Sequence, residues 1–214
     1  MALESIVVLV LILVLSAILH EVAHGYAADS LGDPTARLAG RLTLNPAPHI
    51  DFFGSIVLPA LLVLVHSPIL FGYAKPVPYN PYNLKGKFGE AFVAAAGALT
   101  NFAIAIVLGL SLRFFAGEML PAFAEVLTLA VYINLMLGLF NLIPLPPLDG
   151  SKVFAALLPG ALAHRFEQFE LRMAAMGPFS GFFLVLLVFW IFSPIFSVVL
   201  RGLFALLVGA PLQL

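Results

Sequence analysis

Residues 3–28 read LESIVVLVLILVLSAILHEVAHGYAA, and this stretch decides the class of fold. A helix of about 20 apolar residues is long enough to cross the hydrocarbon core of a bilayer. No Lys or Arg precedes the stretch, and its second half contains His20, Glu21 and His24, so it does not read as a cleaved signal peptide. We therefore predict a transmembrane helix that carries ionisable side chains.

The composition of the chain points to an integral membrane protein. Of its 214 residues 62% are hydrophobic and 10% are charged, against roughly 45–50% and 25% in soluble domains. Ten Lys and Arg against eleven Asp and Glu leave a net charge of −1, which excludes the basic field of a nucleic-acid binder. The absence of cysteine excludes disulfides, a Cys-rich zinc module and a thiol nucleophile. We expect one membrane domain over residues 1–214.

Further apolar blocks predict the remaining membrane segments. Three of them are long and strong, at about 88–115, 121–143 and 178–200. A fourth block, Phe52–Phe71, is interrupted by two prolines, a glycine and His66, and is a weaker candidate to span. We expect an all-α polytopic membrane protein with four to five transmembrane helices, a re-entrant segment and short membrane-associated β-strands.

Two segments are candidates for those strands. Alternating prolines in KPVPYNP (75–81) are incompatible with a helix and suit an extended edge strand or a loop. Apolar residues alternate in GRLTLN (40–45), which suggests a second short strand. Either segment could hold a substrate peptide extended by β-addition, or could instead form a surface loop or a structural hairpin.

The sharpest chemical feature is the run His20-Glu21-Val22-Ala23-His24. Positions i and i+4 share one face of a helix, so both imidazoles can reach one metal ion. The glutamate beside the first histidine can then act as a general base toward water. A polar network between helices, or a proton or ion relay, is the alternative interpretation.

A catalytic zinc usually has three protein ligands, so the histidine pair needs a partner. Asp149 follows a span broken by prolines and precedes Gly150, where the backbone can bend a carboxylate back toward the helices. Other residues remain candidates at this point: Asp29, Asp33, Asp51, His49, His66 and His164.

Together, HEVAH in an apolar span and the downstream NLIPLPPLDG (141–150) resemble the site-2 protease family of intramembrane zinc metallopeptidases. The family combines HExxH in one helix with N-x-x-P-x-x-x-x-DG in another, and Asn141, Pro144, Asp149 and Gly150 match the second element. The resemblance covers most of residues 16–155 and is to compact bacterial members without PDZ or CBS domains. A third family element is only partly kept in GALTN (97–101), where alanine stands in place of the usual proline.

What the resemblance implies is a specific site. His20, His24 and Asp149 would bind one zinc ion per chain, and Glu21 would be the catalytic base. The substrate would be a transmembrane or otherwise membrane-embedded protein segment, with lipid around the enzyme. For stabilising the tetrahedral intermediate our candidate is Asn141, with Asn101 and Asn134 as alternatives; each could instead make an interhelical hydrogen bond.

The metal hypothesis also predicts a topology. The histidines and Asp149 must lie at one depth, so an even number of crossings must separate them, and Phe52–Phe71 is then re-entrant. With that arrangement eight of the ten basic residues lie on one side, which the positive-inside rule makes cytoplasmic. We expect a multi-pass protein of the cell (inner) membrane with its N-terminus outside and its active site toward the cytoplasm.

Two other classes of function compete with a protease. A metal-ion or proton transporter would also bury histidines and carboxylates near broken helices. A structural membrane subunit with a relic metal site is the third possibility, although metal binding alone would not require Glu21. The sequence does not indicate the oligomeric state.

Overall fold

The computed structural model describes residues 3–57, 61, 64 and 74–212. The chain divides into two compact units, Met1–Gly89 and Glu90–Leu214. Helices dominate both units, and no β-strand occurs in the described residues.

The first unit is built on one long helix. Helix α1 covers Leu3–Ser30 and is followed by a short helix α2, Thr35–Leu38. Gly32 ends α1 with a φ of 101°, a conformation that favours glycine. The described residues of this unit also form single turns, of 3₁₀ type at Ala47–His49 and Pro81–Asn83 and of π type at Phe52–Val57.

The second unit is a helical bundle. Its helices are α3 (Gly89–Phe115), α4 (Pro121–Asn141), α5 (Asp149–Leu157), α6 (Gly160–Ala175) and α7 (Pro178–Val208), with a 3₁₀ turn at Ala116–Glu118. A buried apolar cluster joins α3, α4 and α7, comprising Ala105, Leu112, Val131, Leu135, Leu200 and Phe204. The hydrogen bond from Asn101 Nδ2 to Asn134 Oδ1, 2.9 Å long, links α3 to α4 inside this bundle.

Four helical stretches are long and apolar enough to cross a membrane: Ile6–Ser30, Gly89–Glu118, Pro121–Asn141 and Phe183–Val208. Between 11% and 33% of each is buried within the protein, so most of their apolar surface faces outward, as lipid contact requires. The prediction of an all-α polytopic membrane protein is confirmed.

The predicted re-entrant segment and β-strands are not confirmed. Of the block Phe52–Phe71, the structure describes only residues 52–57, 61 and 64, so its proposed re-entry lies outside the described residues. The predicted strands at 75–81 and 40–45 are not formed. Pro76 and Pro78 lack the N–H that a ladder needs, while the Lys75 and Val77 amides donate to His49 O and to the Glu21 side chain instead.

Candidate active site

The two histidines of HEVAH meet on one face of α1. They are 7% and 8% exposed, and their Nε2 atoms lie 3.0 Å apart. The rings stand nearly perpendicular, with an interplanar angle of 88° and centroids 4.6 Å apart. One helical turn therefore brings two imidazole nitrogens to the same point, as the spacing predicts.

This arrangement suits a tetrahedral metal ion. Two nitrogens bound at about 2.0–2.1 Å in a tetrahedral site lie roughly 3.3–3.4 Å apart, and the observed 3.0 Å separation is close to that. A buried pair of converging imidazoles within an apolar helix is also costly unless something binds both. The pair accordingly fits two ligands of one metal ion.

Glu21 faces a different partner from its histidine neighbours. Its Oε2 accepts a 2.8 Å hydrogen bond from the backbone N–H of Val77, a residue 56 positions later in the chain. Val77 is buried, whereas Pro76 and Pro78 on either side are exposed. The proline-rich segment thus lies against α1 at the glutamate and holds the orientation of its carboxylate.

A second set of contacts fixes the start of that segment. The Lys75 amide donates to His49 O at 2.8 Å, and Lys75 O accepts from Arg41 Nη2 at 2.7 Å. The His49 ring in turn bonds Thr43 O through Nε2, at 2.9 Å. Since Arg41 and His49 are both buried, these bonds are shielded from water and strengthened by the low local dielectric.

Gly25 makes the close approach to α1 possible. It lies one turn after Glu21, and a Cβ at this position would be 2.5 Å from Leu42 Cδ2, 3.0 Å from Val77 Cγ1 and 3.1 Å from Ala36 Cβ. All three distances are shorter than ordinary van der Waals contact. A side chain at residue 25 would therefore push Leu42 and Val77 away from the helix.

Asp33 anchors the far end of the segment. Its carboxylate is 0% exposed and accepts from Asn80 N at 2.7 Å and Asn83 Nδ2 at 2.8 Å. Thr35 adds its hydroxyl at 2.6 Å and its amide at 3.3 Å. Burial raises the pKa of the Asp33 carboxyl, but the hydrogen bonds from Thr35, Asn83 and Asn80 outweigh it and hold the pKa below its ordinary value.

Asp149 is the first residue of α5, in the second unit. Only glycine fits at the next position, because a Cβ at Gly150 would clash with the backbone carbonyls of Leu142 and Ile143. The Asp-Gly pair thus lets the chain fold back tightly on the end of α4. The Asp149 carboxylate is held at the start of a helix, immediately after this tight turn.

The three asparagines donate hydrogen bonds within or between helices. Asn141 Nδ2 donates to Leu137 O at 3.0 Å, which is within its own helix. Asn101 and Asn134 are buried and bonded to each other, and Asn134 Nδ2 also donates to Ala130 O at 2.9 Å. A catalytic role of Asn141 stays a prediction.

The other candidate ligands have local partners. Asp29 pairs with Arg37 at 3.2 Å, Asp51 Oδ1 accepts from Gly54 N at 2.7 Å, and His164 lies 3.7 Å from Glu167. Asp33 and His49 are engaged with the contacts given above, and His66 lies outside the described residues.

Sequence reasoning missed the roles of Gly25, Arg41 and Val77. Gly25 directly follows HEVAH, and Arg41 is a charged residue that the sequence does not pair with any partner. Neither signal identifies the contact with the proline-rich segment, because Val77 and Lys75 lie tens of residues away along the chain.

Comparison with known proteins gives the class of enzyme. Residues 117–170 match the family described as Peptidase family M50. YwhC of Bacillus subtilis (strain 168) is 38% identical over 170 residues, which make up 76% of this chain and 74% of YwhC. The chain belongs to peptidase family M50. Membership confirms the resemblance to site-2 proteases on which the interpretation of HEVAH and NLIPLPPLDG depends.

Other relatives are more distant in sequence, and the chain covers a smaller share of their length. Zinc metalloprotease MJ0392 of Methanocaldococcus jannaschii is 30% identical over 71% of this chain and 34% of its own length. Rip2 of Mycolicibacterium smegmatis is 27% identical over 68% of this chain and 54% of its own length. The names of all three relatives refer to zinc metalloproteases. No solved structure is significantly similar to the chain.

Proposed function

We propose that the protein is an intramembrane zinc metalloprotease that hydrolyses peptide bonds in membrane-embedded segments of protein substrates. The observation that carries this proposal is the HExxH motif of a peptidase family M50 member, with converging histidine nitrogens, in a helix apolar enough to span a bilayer. Membership of a peptidase family does not favour the alternative of a metal-ion or proton transporter. The two compact units would make up one catalytic domain.

His20, His24 and Asp149 would hold one zinc ion per chain. Each offers one ligand atom, an imidazole nitrogen or a carboxylate oxygen, which is a donor set typical of catalytic zinc. Asp149, which is partly buried, is favoured as third ligand because it belongs to the DG element of the family resemblance, whereas the fully buried Asp33 already accepts four hydrogen bonds. When bound, the zinc supplies Lewis-acid polarisation of the scissile carbonyl and lowers the pKa of water.

Glu21 would move the proton during hydrolysis. Its carboxylate takes one proton from the attacking water as the water oxygen bonds to the carbonyl carbon, and passes it to the leaving nitrogen as the C–N bond breaks. The Val77 amide occupies Oε2 of Glu21, so Oε1 is the natural acceptor of the water proton.

Asn141 is the proposed donor to the oxyanion. One N–H of its side-chain amide donates to Leu137 O, and such an amide has two N–H donors. Asn101 and Asn134 are less suited, because they are buried and bonded to each other.

The segment of residues 75–81 would hold the substrate extended. A helical substrate protects its scissile amide with its own hydrogen bonds, so cleavage requires local unwinding. The Lys75, Val77 and Asn80 amides donate inside the first unit, and Pro76 and Pro78 have no N–H to offer. The exposed prolines can therefore receive a substrate peptide only through their carbonyl oxygens.

The proposed orientation puts the N-terminus outside the cell membrane and the active site toward the cytoplasm. It is supported by the eight basic residues that share one side if Phe52–Phe71 does not cross. Between His24 and Asp149 the described residues contain two helices able to span, which is the even number that the metal site requires.

The test is a glutamate substitution at the proposed base. The full chain is co-expressed with a panel of tagged single-span membrane proteins, and the panel is examined for cleavage by immunoblotting. We expect wild type to cut at least one member, and Glu21→Gln to abolish cutting while the purified variant still contains one zinc per chain. Glu118→Gln, an exposed acid, is the matched control. Cleavage by a zinc-loaded Glu21→Gln variant would contradict the proposed base.

A further inference from the structure

Glu21, the proposed base, contacts the proline-rich segment at Val77. Two buried charged residues bind this segment on either side of that contact. We propose that Arg41 and Asp33 are positioning residues that anchor residues 75–83 so that the Val77 amide meets the Glu21 carboxylate. This inference rests on the proposed function, since it assigns the residues that orient the base of that same site.

Arg41 anchors the segment two residues before Val77. Its side chain is 7% exposed, and Nη2 donates to Lys75 O at 2.7 Å. Burying a guanidinium is costly unless it is hydrogen-bonded, and a charge-assisted bond to a carbonyl is stronger than a neutral one. The buried charge therefore fixes the position of one backbone carbonyl.

Asp33 anchors the segment three residues after Val77. Its fully buried carboxylate accepts from the backbone of Asn80 and the side chain of Asn83. Neutral hydrogen-bond donors surround this carboxylate, and Arg41 and Asp33 have no ion pair with each other among the described residues. Each charged side chain therefore binds backbone or side-chain atoms of the segment rather than the other charge.

The chain between the anchors is stiff. Pro76 and Pro78 have a fixed φ, and each restricts the residue before it to extended conformations. A displacement at Lys75 or Asn80 is therefore passed to Val77 rather than absorbed between them. A Cβ built at Gly25 would lie only 3.0 Å from Val77 Cγ1, so Val77 packs closely against α1 at this glycine.

The experiment compares variants with and without the anchors. Detergent-solubilised full-length holoenzyme is screened against a library of quenched fluorescent single-span peptides, and kcat, KM and zinc content are measured on the peptide that wild type cuts best. We expect Arg41→Met to lower kcat about tenfold, the value of one lost charge-assisted hydrogen bond, with KM and zinc content within about twofold of wild type. Arg41→Lys should restore part of kcat, and Asp33→Asn should lower kcat in the same way.

Two controls separate positioning from general damage. Arg37→Met changes an exposed arginine of the same unit and should leave kcat unchanged. Adding Arg41→Met to Val77→Pro should cost little beyond Val77→Pro alone, because both act through one hydrogen bond. Full additivity, an unchanged kcat in Arg41→Met, or a fall in zinc content parallel to kcat would overturn the proposal. A wild type that cuts no peptide would instead contradict the proposed function, and with it this inference.

Discussion

The backbone amide of Val77 donates a 2.8 Å hydrogen bond to Oε2 of Glu21, although 56 residues separate them. One partner is the proposed base on a membrane-spanning helix, and the other lies in a segment that prolines keep out of any helix or strand. The contact orients the carboxylate by binding one of its two oxygens. The orientation of the Glu21 carboxylate therefore depends on a segment outside the HExxH motif.

Replacing Val77 with proline should remove this hydrogen bond, because proline has no backbone N–H. The other backbone hydrogen bonds of the segment should remain. A hydrogen bond to a charged group contributes about 1.5–3 kcal/mol, so we expect kcat to fall roughly ten- to a hundredfold while zinc remains bound. Val77→Ala keeps the N–H and is the matched control. Equal activity of the two variants would show that the amide does not matter for Glu21.

Substituting Gly25 should displace the segment sterically. A Cβ there would be 2.5 Å from Leu42, 3.0 Å from Val77 and 3.1 Å from Ala36, and overpacking of this kind costs about 1–3 kcal/mol. We expect Gly25→Ala to lower both peptide cleavage and the thermal unfolding midpoint in detergent. Gly202→Ala is the control, because nothing lies within 4 Å of its hypothetical Cβ, and its midpoint should stay the same or rise.

Removing the carboxylate of Asp149 should release the metal. With only two imidazoles left, the site has one ligand fewer than catalytic zinc usually requires. We expect purified Asp149→Ala to contain much less than one zinc per chain by elemental analysis, whereas His164→Ala retains the wild-type content. Full zinc occupancy in Asp149→Ala would direct attention to the other acids.

The stability of the first unit should depend on pH through Asp33. Hydrogen bonds hold the pKa of its carboxyl below the ordinary 3.8. A group with a depressed folded pKa contributes stability above its unfolded pKa and loses it as the pH falls through the folded value. We therefore expect the thermal midpoint of the wild type to fall as the pH is lowered below about 3.8.

The Asp33→Asn variant supplies the comparison. Its amide cannot ionise, so its midpoint should be lower than that of wild type at pH 6 and should vary less across the acid range. Glu167→Gln, which changes an exposed acid, should follow the wild-type curve. A wild-type midpoint that is independent of pH in this range would contradict the assignment of a charged Asp33.

Much of the fold follows from patterns within single stretches of chain. Apolar runs predicted the four spanning helices, because burial of a helix in lipid depends on length and composition rather than on its neighbours. The prolines of 75–81 correctly excluded an α-helix, and of the two alternatives that they left open, an edge strand and a loop, no strand is formed. A strand needs a partner ladder, and the Lys75 and Val77 amides found a loop carbonyl and a side chain instead.

By itself the sequence determined the membrane helices, the convergence of His20 and His24, and the chemistry proposed for Glu21. The membrane helices follow from length and composition, and the convergence of the histidines follows from the 3.6-residue periodicity of one helix. Only the tertiary structure decided that Val77 meets Glu21, and that buried Arg41 and Asp33 hold the segment between them. These contacts join residues 34 to 56 positions apart, and no local periodicity specifies which distant backbone groups will be brought together when the chain packs.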